Sequence, residues 1–104
     1  MNAEQLSTWL TAIASPQRMR ILATIAESPL HVSEIARRMG MSRALLYMHL
    51  AKLEEAGFVT GHHELTDDGK ALKLFTAAPF TTTLDLATLV AAVEASPVSP
   101  NAVP

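Results

Sequence analysis

The chain has 104 residues, 49% of them hydrophobic and only 17% charged, with a formal net charge of −2 and no cysteine. That length suits one domain with a core of its own, and so apolar a composition predicts an exposed patch that marks an interface. Without cysteine there is neither a disulfide framework nor a thiolate metal or redox site, and no uncharged stretch is long enough to span a bilayer. The first residues, MNAEQLSTWL, lack a basic segment followed by an apolar one, so no signal peptide is expected and the default location is cytoplasmic.

Leu6, Trp9, Leu10 and Ile13 recur at i, i+3, i+4 and i+7, which predicts a first amphipathic helix from about Ala3 to Ala14. Trp9 is expected to anchor a core or an interface. Ser15 followed by Pro16 is a cap with proline at the first helical position, where its missing N–H costs nothing. Met19, Ile21, Leu22 and Ile25 then carry a second helix to about Glu27, and Ser28-Pro29 ends it. Leu30 to Val32 suits a short strand.

Residues 33 to 59, SEIARRMGMSRALLYMHLAKLEEAGFV, predict two capped helices around a tight turn. Ser33 is placed as the cap of the first, whose apolar stripe is Ile35, Ala36 and Met39. Gly40 stands where that helix should stop, because glycine takes the left-handed conformation without steric cost. Ser42 caps the second helix, which buries Leu46, Leu50 and Leu53 and closes at Gly57. Phe58 to Leu65 then predicts a strand, Thr66 to Gly69 a hairpin turn, and Lys70 to Ala77 the return strand. Asp-Gly favours such a turn because both central positions can take positive φ. A helix capped by Thr66 is the alternative, and Pro79 with Thr81 to Thr83 favours the strand. Asp85 caps a last helix to about Ala95, with Leu86, Leu89, Val90 and Val93 on its apolar side. The folded domain is expected over residues 1–95, with a proline-punctuated, disordered tail over 96–104.

Charge is unevenly spread. From Arg37 to Lys52 there are four cations, Arg37, Arg38, Arg43 and Lys52, and no acid, so the basic segment coincides with the turn and second helix of the motif. No glycine-rich phosphate loop, no HExxH and no nucleophile with a base and an orienting acid is present, so no catalytic site and no cofactor are expected. Glu54 and Glu55 read as solvated charge. His62-His63-Glu64 is the densest group of ligand types, but neighbours on a strand point to opposite faces, so no metal site is expected there.

The segments SPQRMRIL (15–22), SEIARRMGMS (33–42) and HLAKLEEAGFV (49–59) resemble the ArsR-type winged helix-turn-helix regulators, over about residues 6 to 80 and best from Ser42 to Val59. The resemblance implies a mainly α fold of five helices with a small β-hairpin wing, dimerising through the first and last helices. The interface would be Leu6, Trp9, Leu10 and Ile13 with Leu86, Leu89, Val90 and Val93. It implies a homodimeric, sequence-specific DNA-binding regulator, usually a repressor, on a double-stranded operator, with helix 42–56 in the major groove. An effector of unidentified chemistry is part of that expectation, a small apolar ligand at the dimer interface being one candidate.

On the recognition helix, Arg43, Ala44, Tyr47 and Met48 lie at the amino-terminal end that enters the groove. Arg43 suits a bidentate pair with guanine or a phosphate contact, and Tyr47 a phosphate, a thymine methyl or mere helix shielding. His49 matches a histidine of the family motif that faces phosphate or packs. Ser42, Arg37, Arg38 and Lys52 are expected at phosphates, with a solvated face the competing reading for the two arginines. Arg18 occupies a position that in such regulators pairs with a carboxylate inside the fold. The wing tip, Asp67-Asp68-Gly69-Lys70, departs from the basic tips of similar proteins. Lys70, Lys73 and His62 would have to act from its flanks, or the wing barely touches DNA. The rival functions are a winged-helix protein-interaction module, which an acidic wing would suit, and a histidine-based metal-sensing repressor.

Overall fold

The computed structural model describes residues 1–97. In chain order it has α1 (Ala3–Ile13), α2 (Pro16–Ile25), β1 (Leu30–His31), α3 (Val32–Met39), α4 (Arg43–Glu55), β2 (Val59–Leu65), β3 (Ala71–Ala77) and α5 (Leu86–Glu94). The three strands form one antiparallel sheet in the order β1-β3-β2. Its register sets Leu30 opposite Phe75, and Val59 to Leu65 opposite Ala77 to Ala71. This is the winged helix-turn-helix, with α3 and α4 as the helical pair and β2–β3 as the wing.

The core is a single cluster in which each element contributes what its period allows. Helix α2 gives Ile21 and Ile25, α3 gives Val32, Ile35 and Ala36, and α4 gives Leu46, Leu50 and Leu53. Phe58, Val59 and Phe75 close it from the sheet side. On β3 the deeply buried residue is Phe75, on the same face as Ala71 and Lys73. Trp9 packs its ring 4.9 Å from Phe58 and 5.6 Å from Phe80, the latter edge-on, so α1 is held to the sheet by an aromatic trio.

Most helix ends are built as their sequences dictate. Asn2 and Gln5 form a reciprocal capping box at α1, and the Ser15, Ser42 and Asp85 side chains cap α2, α4 and α5. Ser33 does not cap α3. That helix begins two residues earlier than a Ser33 cap would set it, at Val32, after an extended His31 with no side-chain cap bond. The cause is burial: with Val32 helical, the apolar stripe runs Val32, Ile35, Ala36, Met39, the full i, i+3, i+4, i+7 set. At the other end, Gly40 has φ 62° while Met41 N–H donates to Ala36 O at 3.0 Å, a Schellman closure. Gly57 (φ 87°) ends α4 the same way, with Phe58 N–H on Leu53 O at 2.8 Å.

The wing turn departs from expectation in detail. Only Gly69 has positive φ, at 83°. Gly69 N–H donates to Thr66 O and Thr66 N–H to Lys70 O, at 2.9 and 2.8 Å. This is the longer hairpin loop with a glycine bulge, not the two-residue turn with two left-handed centres. Ser96, expected to start the tail, belongs to the fold: its hydroxyl donates to Ala92 O and accepts from Ala3 N–H, both at 2.9 Å. The remainder of the expected tail, residues 98–104, lies outside the described residues.

One contact has no local signal in the sequence. Glu54, expected to be solvated, reaches from α4 to the wing and accepts the Gly61 N–H at 3.0 Å. A Cβ on Gly61 would stand 2.8 Å from Phe75 Cε1 and 2.9 Å from Lys73 Cε. Phe75 is buried and cannot yield. Gly61→Ala is therefore expected to destabilise the domain by about 1–3 kcal/mol, read as a lower midpoint in thermal unfolding followed by circular dichroism.

Candidate DNA interface

Three fully buried leucines on one side of α4, Leu46, Leu50 and Leu53, fix which residues look outward. With 3.6 residues per turn, Arg43, Ala44, Tyr47, Met48, Ala51 and Lys52 must lie toward solvent, and they are all exposed. Tyr47 and Met48 keep 45% and 64% of their surface open, large values for residues that could otherwise pack. The amino-terminal end of α4 thus presents an arginine, an alanine, a tyrosine and a methionine on one open face. Among the described residues neither Arg43 nor Lys52 has an ion-pair partner. Ser42 spends its hydroxyl on the cap, accepting Leu45 N–H at 3.2 Å.

Arg37 and Arg38 are exposed but engaged. Arg37 forks onto Glu34, with Nε on Oε2 at 3.0 Å and the terminal nitrogen on Oε1 at 2.6 Å. Arg38 Nε adds a bond to the same Oε1 at 2.8 Å. These bonds, Arg37's first and Arg38's second, push the Glu34 carboxyl down to about 2. The acid-free count from Arg37 to Lys52 therefore overstated the local charge, because Glu34 sits three and four residues back on the same helix face. The i, i+3 and i, i+4 spacing was the available signal.

His49 does not face phosphate. It turns inward, half-buried, with Nδ1 3.2 Å from an Arg18 terminal nitrogen. Among the described residues Arg18 has no carboxylate partner of the expected kind. Its Nε donates to Ala12 O at 2.7 Å and its second terminal nitrogen to Thr11 O at 3.3 Å, two carbonyls of the last turn of α1, the second of which also accepts Ala14 N–H at 3.3 Å. Burial lowers the imidazole from its ordinary value, and the Arg18 charge adds to the effect.

The wing carries mixed charge. Asp67, Asp68 and Lys70 are exposed at its tip, and Lys70 Nζ comes only within 3.9 Å of Asp68. The Asp68 carboxyl is held below its usual range by the Thr66 hydroxyl. Lys73 lies over the Phe75 ring at 5.2 Å rather than reaching outward. His62 and His63 stand opposite Leu74 and Lys73, on alternate faces. Among the described residues, no three histidine or acidic side chains converge as a metal site would require. None of the described helices is long and apolar enough to cross a membrane.

A helix-turn-helix with an exposed, cation-bearing second helix and a hairpin wing defines a winged-helix DNA-binding protein. Comparison with known proteins makes this specific. The family model for bacterial regulatory proteins of the arsR family matches residues 15–60. The HTH-type transcriptional regulator MJ0229 of Methanocaldococcus jannaschii is 32% identical over 69 residues, covering 66% of this chain and 72% of that protein. The regulator NmtR of Mycobacterium tuberculosis is 34% identical over 59 residues, 57% of this chain, and the match spans about half of NmtR, 49%. A solution structure of the homodimeric winged helix-turn-helix DNA-binding domain Mb0332 of Mycobacterium bovis superposes with a TM-score of 0.64 at 25% identity, covering 73% of this chain and 66% of that one. The chain belongs to the ArsR family: it is a DNA-binding transcriptional regulator and not an enzyme.

The inward His49 makes stability depend on pH. Its folded value is depressed, so neutral imidazole is favoured by folding. The stabilisation is complete above the ordinary value of 6.5 and is lost as pH falls through 6.5 toward the folded value. The expected outcome is a melting temperature that declines as pH is lowered from 7.5 to 5, on the order of the histidine range, with a shallower decline in His49→Gln.

Proposed function

We propose that the protein is a homodimeric repressor that places α4 of each protomer in successive major grooves of a pseudo-palindromic operator. The observation that carries this is the open face of Arg43, Ala44, Tyr47 and Met48, held clear of the core by the leucines behind it. In this reading Arg43 contacts a guanine edge or phosphate and Tyr47 a phosphate or thymine methyl. Ser42 and Lys52 serve phosphates, with Arg37 and Arg38 contributing less than their number suggests because Glu34 holds them. His49 supports the helix from behind, and Lys70 is the wing's candidate contact beside two acids. Such a protein works in the cytoplasm, where its operator is.

Dimerisation is supported by an apolar face that no described residue covers. On α5, Leu86, Leu89, Val90 and Val93 are between 44% and 77% exposed, while only Ala92 is buried. The α1 side contributes less than its sequence promised. Leu6 is covered within the chain, and Trp9 and Ile13 pack on the core, leaving Leu10 half-open beside α5. Four apolar side chains at this exposure would be costly in a monomer. The homodimeric state of the Mb0332 domain is consistent with a second copy covering them.

The decisive experiment is a salt-titrated binding assay on the DNA upstream of the protein's own gene, against a scrambled sequence. Specific binding that weakens steeply with salt supports the reading, and equal binding to both sequences rejects it. Arg43→Ala is expected to cost about 1–3 kcal/mol of DNA affinity with the melting temperature unchanged. Leu89→Glu with Val93→Glu should give a folded monomer in sedimentation velocity and lose operator binding.

A further inference from the structure

The Arg18–His49 contact lies on the side of α4 turned toward α1, beside a cleft that Arg18 shares with Lys52 and Glu55. Arg18 is fixed at its other end by the Ala12 and Thr11 carbonyls at the close of α1. Its guanidinium is cationic at every accessible pH and can only donate. The His49 Nδ1, 3.2 Å away, must therefore be the acceptor, with its lone pair toward Arg18. The ring is then neutral and carries its proton on Nε2. A proton on Nδ1 would remove the acceptor and set an N–H against an N–H, with two positive charges in contact.

Arg18 cannot step aside without surrendering both carbonyls. Nor can α4 roll in place, since Leu46, Leu50 and Leu53 flank His49 and are fully enclosed. Among the described residues no acid bonds to Arg18 or to His49; Glu55, in the same cleft, is exposed and pairs with neither. The α1 residues lining the adjoining cleft are Ser7, Thr8, Thr11 and Ala12, and α4 brings Lys52 and Glu55 one and two turns on. Of the other elements packed on α4, α3 carries Glu34 with Arg37 and Arg38 bonded to it, and β2 carries His62, His63 and Glu64, all three exposed; none of these has a bond to the His49 ring.

We propose that Arg18 is a positioning residue for the recognition helix, acting through neutral His49, so that protonation of His49 breaks the polar tie between α1 and α4 and weakens DNA binding, while the leucines keep α4 in the core. This rests on the DNA-binding reading and adds a regulatory input to it. The link is direct: one end of Arg18 holds α1, the other holds α4, and one proton severs the connection.

The test compares wild type with His49→Gln, whose side-chain carbonyl can accept from Arg18 but does not titrate. Binding to the DNA upstream of the gene is measured from pH 8 to 5 at fixed ionic strength, at a temperature where both proteins remain folded by circular dichroism. Wild-type affinity should fall as pH drops below the histidine range, with a limiting slope of about tenfold per pH unit for each protomer and so about a hundredfold for the dimer, while the variant stays flat. His62 and His63, exposed on the wing, are the same in both proteins, so they cannot produce a difference between the two profiles. Parallel profiles for the two proteins would overturn the proposal. A histidine NMR titration decides it independently of DNA. The amides of Arg43 to Tyr47 should shift in step with the His49 ring in wild type, and their indifference to that ring would reject the positioning role. Should neither protein prefer its upstream DNA at any pH, the operator reading fails, and the NMR titration still supports or rejects the link from Arg18 through His49 to α4.

Discussion

Everything the recognition surface can do depends on the burial of Leu46, Leu50 and Leu53. Each contributes about 1.5–3 kcal/mol on leaving water, and together they hold α4 at one rotation about its axis. A helix without that stripe could roll and offer other side chains. With it, Arg43, Ala44, Tyr47 and Met48 are outward as a geometric consequence rather than through contacts of their own. Those four residues are therefore free of the packing constraint that the leucines carry.

The second constraint is how α4 joins the wing. Gly57 ends the helix in a left-handed residue, so Phe58 can turn back over Leu53 and Val59 can start β2 at once. Glu54 then crosses to Gly61 on the outer strand and gives that strand's edge N–H a partner. The missing side chain at Gly61 makes room both for Phe75 beneath and for the carboxylate beside it. The wing is thus tied to the recognition helix near its base, while its acidic tip is held only by its own Thr66, Asp68 and Lys70. Charge follows the same division. The base carries the structural carboxylate and the tip carries two acids beside Lys70, so the wing adds no net positive charge there to the cations of α3 and α4.

What the sequence made legible was whatever repeats locally. Helix periods, caps at Ser15, Ser42 and Asp85, glycine stops at 40 and 57, and the three leucines could all be read within a window of a few residues. The start of α3 was misplaced because Ser33 is the better cap in isolation, and burial of Val32 outweighs a single cap bond. The hairpin loop was assigned two left-handed residues from its Asp-Gly pair, although the bonds between Thr66 and Lys70 need only one. What stayed illegible was pairing over distance. Nothing in the chain announces that Glu54 meets Gly61, that Trp9 joins Phe58 and Phe80, or that His49 turns toward Arg18 instead of solvent. Glu34 is the exception, since its spacing to Arg37 and Arg38 was in plain view and the window of the charge count began too late.

These distant pairings also explain how the ends of the chain bear on its middle. Ser96 bridges Ala92 O and Ala3 N–H, binding the end of α5 to the start of α1. Arg18 binds the opposite end of α1, through two carbonyls, and extends to α4. A rigid helix of 11 residues therefore connects the apolar α5 face to the back of the recognition helix with a polar joint at each end. Packing alone could transmit a displacement only by deforming a close-packed core, which resists it. Polar joints are different, because each has a made and a broken state. The serine joint cannot titrate. The arginine–histidine joint can, and it is the one that touches α4.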